Sequence, residues 1–399
     1  MNGYYTLFKR NKNGTRGQMV TGVSKVEITL KWRAISKFTL QGVCVGKIPL
    51  SDGDSIIIYR NSVVFLEGII STITTECKNP DTDVRTWKAN GEDLNVMFSY
   101  RYVLGNPLTL DFDSGEYDKV EDTAWNRILH YIRNSIGTGT IFDRQLFPLT
   151  LPERQPTGTV GLSSYRKQAL DKVLDEIGKE NDLYPILHQD EKTGTWSVAI
   201  PEARDMTEKI FISPVFGNVT SWTRTEKKPE FTAVWALSGS YDRGQLYVYL
   251  EDKEAMQIYG RIEKIITKSD LVPHEEEEIT TEVVEDKDKN HLTEADVLLL
   301  LEHEAVSEIR EHGQKVTWSI EAAETHRMAF MEDWQLGDLV TCILDGEKFA
   351  SRISQVKISY AEGIEKVEPT IGNVVSGVFG EIFDMIKGLD RKVIDLENS

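Results

Sequence analysis

The chain has 399 residues, 40% of them hydrophobic and 28% charged, which fits a globular protein of about two to four domains. Its formal net charge of −18 argues against sequence-independent nucleic-acid binding, which needs clustered Lys and Arg to displace counterions. Three cysteines without CxxC spacing suggest neither a disulfide framework nor a zinc site, and no run of about 18 apolar residues offers a membrane span.

The first residues, 1–20, are polar and basic and lack the apolar stretch of a signal peptide, so folding in a cytoplasm is expected. From Val26 to about Asn90 the pattern has period two or short apolar runs, punctuated by Gly, Asn and Asp. Lys25-Val26-Glu27-Ile28-Thr29-Leu30 alternates, and Ser62 to Leu66 and Arg85 to Ala89 are strand-like. This predicts a first small antiparallel β-barrel over residues 1–100. A mixed α/β domain is expected over 101–205. Asp122 or Thr123 can cap a helix with Trp125, Ile128, Leu129, Ile132 and Ile136 on one face, ending at Gly137. A second helix follows Ser163-Ser164, with Ala169, Leu170, Val173, Leu174 and Ile177 as its apolar face. Tyr184 to Leu187 and Thr195 to Ile200 then predict a hairpin around Asp190 to Gly194.

A second barrel is expected to be discontinuous, over 206–244 and 314–372, with Ile210 to Ile212 and Phe231 to Leu237 as strands. The insertion, 245–313, combines strand-like Gln245 to Leu250, an acidic loop and a helix. Thr293-Glu294-Ala295-Asp296 is a capping box for that helix, which stops near Gly313. Beyond it, over 373–399, Val375, Phe379, Ile382, Ile386, Leu389, Val393 and Leu396 keep a four-three spacing, which predicts a helical seam for self-association. Gly377, Gly380 and Gly388 weaken that helix, by about 1 kcal/mol each relative to Ala. The fold class expected is therefore α+β, mainly β.

One phrase occurs twice. Leu50 leads through Gly53-Asp54 and Ile56-Ile57-Ile58 to Phe65. Trp334 leads through Gly337-Asp338 and Leu339-Val340 to Phe349. The spacing from Asp to Phe is the same in both copies. A β-module built twice in one chain predicts an internal symmetry.

Candidate chemistry is weaker. His303-Glu304 lacks the second histidine that a zinc helix needs one turn on, since position 307 is Ser307. Glu275 to Glu278, with Glu282, Glu285, Asp286 and Asp288, lacks the ligand alternation of a calcium loop and is expected to be a self-repelling loop. Thr157-Gly158-Thr159-Val160-Gly161 lacks the Gly-Lys-Ser/Thr ending of a phosphate loop. With no nucleophile elbow either, no enzyme, cofactor or metal is expected. Cys44 and Cys342, in apolar runs, are expected to be buried thiols.

The order of these phrases resembles a known family. It runs from Lys31-Trp32-Arg33 through the first Gly-Asp hairpin to Trp87-Lys88-Ala89-Asn90-Gly91-Glu92-Asp93-Leu94 and Ser99-Tyr100-Arg101-Tyr102-Val103. It continues through Ile212-Ser213-Pro214-Val215-Phe216-Gly217-Asn218-Val219, Trp334-Gln335-Leu336-Gly337-Asp338-Leu339-Val340 and Glu368-Pro369-Thr370-Ile371-Gly372. Over about residues 25–373 this resembles the siphophage distal-tail hub family, related to the central baseplate hub of contractile tails. The resemblance implies a homotrimeric ring in a virion or phage-derived bacteriocin particle, with two barrels per subunit giving six similar positions that mate with a six-fold tail tube or distal tail protein. Fibre, tip or receptor-binding proteins are the expected partners on the other side. The short stretch after Gly372 leads to the expectation that cell-wall digestion comes from another polypeptide. A carbohydrate-binding module using the eight tryptophans is the alternative, and a tail lysin a further one. The acidic balance would let DNA pass the lumen without stable binding.

Overall fold

The computed structural model describes residues 4–110, 116–241, 244–273, 292–322, 328–375 and 390–394. The first strands are β1 (Tyr5–Arg10), β2 (Arg16–Met19), β3 (Val23–Lys31), β4 (Lys37–Val45), β5 (Ser55–Arg60), β6 (Val63–Asn79) and β7 (Val84–Asp93). A mixed region follows: α1 (Val96–Ser99), β8 (Tyr102–Val103), β9 (Asp118–Thr123), α2 (Ala124–Ile136), β10 (Leu149–Thr150), β11 (Val160–Tyr165) and β12 (Gln168–Ala169). It ends with α3 (Leu170–Asn181), β13 (Ile186–Gln189) and β14 (Trp196–Ala199). Then come β15 (Phe211–Ile212), β16 (Val219–Lys227), β17 (Ala233–Ser238), β18 (Gln245–Glu251), α4 (Lys253–Tyr259), β19 (Glu263–Lys268) and α5 (Glu294–His312). The last elements are β20 (Lys315–Ala322), β21 (Leu339–Leu344), β22 (Glu347–Ala361), β23 (Ile364–Val375) and β24 (Asp390–Ile394).

A single 13-stranded sheet runs in the order β16-β20-β23-β22-β3-β4-β7-β6-β5-β1-β2, with β21 pairing β22 and β15 pairing β21. The fold is mainly β, and none of its sheets closes into a barrel among the described residues. The two separate barrels expected from the sequence are thus two halves of one open sheet. The reason is the seam between them: β22 and β3 pair antiparallel from Gln355 opposite Lys31 to Ala361 opposite Lys25. Val26 and Ile28 from β3 and Val356 and Ile358 from β22 are fully or nearly fully buried there, so separation would expose all four. At ~1.5–3 kcal/mol for each buried aliphatic side chain, burial favours fusion of the halves. In β5 the run Ile56-Ile57-Ile58 is buried at every position, because both faces of that strand are covered.

Three hydrophobic cores organise the chain. The largest joins both halves of the long sheet, with Ile28, Leu40, Ile56 and Trp87 from one and Trp318, Trp334, Val340 and Ile371 from the other. A second packs α2 against α3 through Ile128, Ile132, Val173 and Ile177. Helix α2 starts after Thr123 and ends at Gly137, at the expected bounds. Helix α3 begins only at Leu170, because Ser163 and Ser164 are held in β11 by pairing with β9. The strands β13 and β14 form the expected hairpin.

The third core sets α5 on a four-stranded sheet, β19-β17-β18-β24, through Val234, Val248, Val297, Leu301 and Ala305. Thr293 and Asp296 complete the capping box at the start of α5. The strand over 233–238 joins this insertion and not the second half of the long sheet, since its neighbours are β18 and β19. The acidic stretch Glu275 to Asp288 lies outside the described residues.

Of the seven C-terminal heptad positions, the two that fall among the described residues lie in strands. Val375 closes β23 opposite Val316, and Val393 lies in β24 opposite Leu246. Ladder pairing with β20 and β18 holds both backbones extended, which a helical seam cannot accommodate. Phe379, Ile382, Ile386, Leu389 and Leu396 lie outside the described residues.

Candidate functional site

The repeated Gly-Asp turns enter the long sheet with the same hydrogen-bonding skeleton. In the first, the Gly53 amide donates to the Ile70 carbonyl (2.8 Å) and the Ile70 amide to the Asp54 carbonyl (2.9 Å). In the second, the Gly337 amide donates to Ile353 (3.0 Å) and the Ile353 amide to Asp338 (2.9 Å). Each aspartate folds back on the chain three residues earlier. Asp54 Oδ2 accepts the Ser51 amide at 2.8 Å, and Asp338 Oδ2 accepts the Gln335 amide at 2.8 Å. Both glycines have positive φ, 76° at Gly53 and 89° at Gly337, a conformation that glycine adopts without a Cβ penalty.

Each carboxylate also meets a cation from a distant segment. Lys9 Nζ lies 2.7 Å from Asp54 Oδ2. Arg204 binds Asp338 through two parallel bonds, Nε to Oδ1 at 2.8 Å and Nη2 to Oδ2 at 2.6 Å. The bidentate pair holds the Arg204 guanidinium above its ordinary pKa, chiefly by the hydrogen bond to Asp338. The sequence pointed to Gly53, Asp54, Gly337 and Asp338; it gave no sign of Lys9 or Arg204, which only the fold brings close.

Between the two hairpins lies a cavity of about 310 Å³, bordered by Phe65 and Leu66 of the first copy, Leu336 and Asp338 of the second, and Trp32 and Tyr184. Nearby, Glu67 of β6 gathers Arg10 and His188, with His188 Nδ1 2.9 Å away, and accepts the Gln189 amide at 3.2 Å. Burial lowers the Arg10 pKa while Glu67 opposes that shift. These contacts fasten the first half of the sheet to the β13–β14 hairpin.

A more polar cleft of about 470 Å³ separates α3 from α5. On its walls Lys268 meets Glu304 at 2.6 Å and Lys179 pairs with Glu311, while Lys119 meets Asp296 at the start of α5, at 2.5 Å. Burial raises the Glu176 pKa, and its carboxylate accepts the Tyr165 hydroxyl at 2.7 Å. The cleft brings ion pairs and a tyrosine–carboxylate bond together, and its walls also carry Ser163, Ser164 and Ser307. Among the described residues, no group of three or more His, Cys, Asp or Glu could hold a metal ion. His312 contacts Glu230 at 3.0 Å and His303 faces the polar cleft. Cys342 is buried, which pushes its thiol up to about 12, whereas Cys44 is half-buried and Cys77 exposed. No helix among the described residues is long and apolar enough to cross a membrane.

Residues 10–373 match the family described as Siphovirus ReqiPepy6 Gp37-like protein. No curated protein sequence matches the chain. Among solved structures, the fold is similar to the 43 kDa tail protein of prophage MuSo2 from Shewanella oneidensis, at 13% identity and a TM-score of 0.53, covering 92% of this chain and 97% of that one. It is also similar to the tail protein from Neisseria meningitidis MC58, at 14% identity and a TM-score of 0.53, covering 92% of this chain and 96% of that one. At these identities the likeness is one of fold.

Proposed function

The chain belongs to the Siphovirus ReqiPepy6 Gp37-like family of phage tail proteins, and from that premise we propose that it is the structural hub of a tail tip. In this reading three copies form a ring at the distal end of the tail of a virion or phage-like particle, assembled in the bacterial host cytoplasm. The ring adapts a six-fold tail tube to three-fold tip components. The observation that carries the proposal is the duplication of the Gly-Asp hairpin down to individual hydrogen bonds. Two like units per subunit let three subunits present six like positions, which is what joining three-fold to six-fold symmetry demands.

Both similar structures are of tail proteins, which supports a place in the tail. The role is structural and not enzymatic: the site's aspartates are tied up in turn and ion-pair contacts. Its partners are the tube or distal tail protein on one side and a tip, fibre or receptor-binding protein on the other. Light scattering on the purified chain tests the reading. The expected mass is three times the 45.3 kDa chain, and electron micrographs should show three-fold rings. A chain that stays monomeric at micromolar concentration overturns it.

A further inference from the structure

The two halves of the long sheet correspond strand for strand. β5, β6, β7, β4 and β3 follow one another in the first half as β21, β22, β23, β20 and β16 do in the second. They share an irregularity: β6 slips register against β7 between Ile70 and Thr72, and β22 slips against β23 between Ile353 and Gln355. Thr72 therefore corresponds to Gln355. Following the ladders outward, Phe38 corresponds to Ile320, and Ile28 to Trp222.

Within the chain, β22 beyond Ile353 is covered on its free side by β3. The corresponding partner of β6 beyond Ile70 would be β16, and the chain does not make that pairing. Among the described residues β16 pairs only with β20, and β6 beyond Ile70 only with β7. Both edges are open to solvent. Ser71, Thr72, Thr74, Thr75 and Glu76 are exposed on one, and Ser221, Trp222, Thr223 and Thr225 on the other. Trp222 is 40% exposed where its counterpart Ile28 is fully buried, and Ile73 is half-buried where Val356 is fully buried. The stretch from Ser71 to Thr75 has neither charge nor proline, the devices that keep a solitary edge from pairing.

We propose that β16 of one copy pairs antiparallel with β6 of the next, in the register of the internal β22–β3 seam. Thr225 then stands opposite Thr72, Arg224 opposite Ile73, Thr223 opposite Thr74 and Trp222 opposite Thr75. Facing threonines are favourable cross-strand pairs, and no like charges oppose one another across these four positions. The contact is head to tail, so each copy uses one edge of each kind and three copies close with no edge left over. The inference rests on the trimeric reading and gives it an interface. It also puts assembly on strand edges and not on a C-terminal helical seam.

Paired cysteines in a Cys77→Ser background test the register. T74C/T223C and T75C/W222C each put two Cβ atoms opposite one another, and one of these pairs is of the closer, non-hydrogen-bonded kind. Mild oxidation should convert most chains of at least one variant into covalent trimers, with no larger species. T74C/R224C points the two side chains to opposite faces of the sheet and should stay largely uncrosslinked. A trimeric mass by light scattering without crosslinking in either in-register variant overturns this interface and leaves the trimer standing. Equal crosslinking in the out-of-register control, or growth beyond trimers, overturns the register or the closure. A monomeric wild-type chain removes the trimeric reading itself.

Discussion

Asp54 and Asp338 make the same backbone contacts in unlike surroundings. The Asp338 side chain is about 1% exposed and takes two bonds from Arg204, whereas Asp54 is 15% exposed and meets the single ammonium of a lysine that is itself 38% exposed. Removing a buried acceptor leaves its donors unsatisfied, while an exposed ion pair contributes little. Asp338→Ala should therefore cost about 3 kcal/mol of stability, and Asp54→Ala about 1 kcal/mol. Chemical denaturation of the two variants checks this, and equal losses would contradict it. The aspartates were legible in the sequence because turn chemistry is local: Gly supplies the left-handed backbone and Asp closes the turn. Their cationic partners were not, since Arg204 is 134 positions from Asp338 and nothing in its neighbourhood marks it.

At the scale of the hairpin, the two glycines again separate the copies. A Cβ at Gly53 would meet nothing within 4 Å, but one at Gly337 would lie 2.4 Å from the Trp32 ring. Gly53→Ala should cost only the backbone strain of a positive φ, about 1 kcal/mol. Gly337→Ala adds a clash with an indole packed at the junction of the two halves, and should lower the melting temperature clearly more. Thermal unfolding of the pair is the measurement. The elements read most faithfully from sequence were those with local start and stop signals, such as α2 between Thr123 and Gly137 and α5 behind its capping box. Of the C-terminal heptad positions, Val375 and Val393 lie in strands for a physical reason. A four-three spacing reports which side chains could share a helix face, and it is silent on whether a neighbouring strand such as β20 or β18 captures the backbone first.

On the scale of the whole molecule, Asp93 sits where the long sheet meets the helical core. Its carboxylate accepts the Ser36 amide at 2.8 Å and the Asn95 amide at 3.1 Å, while Asn95 reaches Tyr184 and Leu187. Burial raises its pKa to about 6 despite those amide bonds. The folded state thus binds this proton more tightly than the unfolded state, whose carboxyl titrates near ~3.9. The associated stability is complete below about pH 4 and is lost as the pH rises through about 6, on the order of 3 kcal/mol. Asp93→Asn should flatten this part of the stability profile between pH 4 and 6, and denaturation series of both proteins across that window would reveal it. The mainly β character could be read from residue patterns. The fusion of two modules into one sheet could not, because Val26 and Val356 look alike to any strand that offers an alternating apolar face.

The β22–β3 seam also dictates an order of events during synthesis. Strand β3 leaves the ribosome early, yet its partner is made only after the helical region and the α5 insertion have emerged. Until then the nascent first half carries two uncovered strands, β3 and the far part of β6. The insertion's own core can settle while the chain waits, which keeps a long interval of translation from becoming a long interval of disorder. Covering of β3 from within its own chain is therefore a late step, and a polysome crowded with copies of this message is where the wrong chain could cover it first.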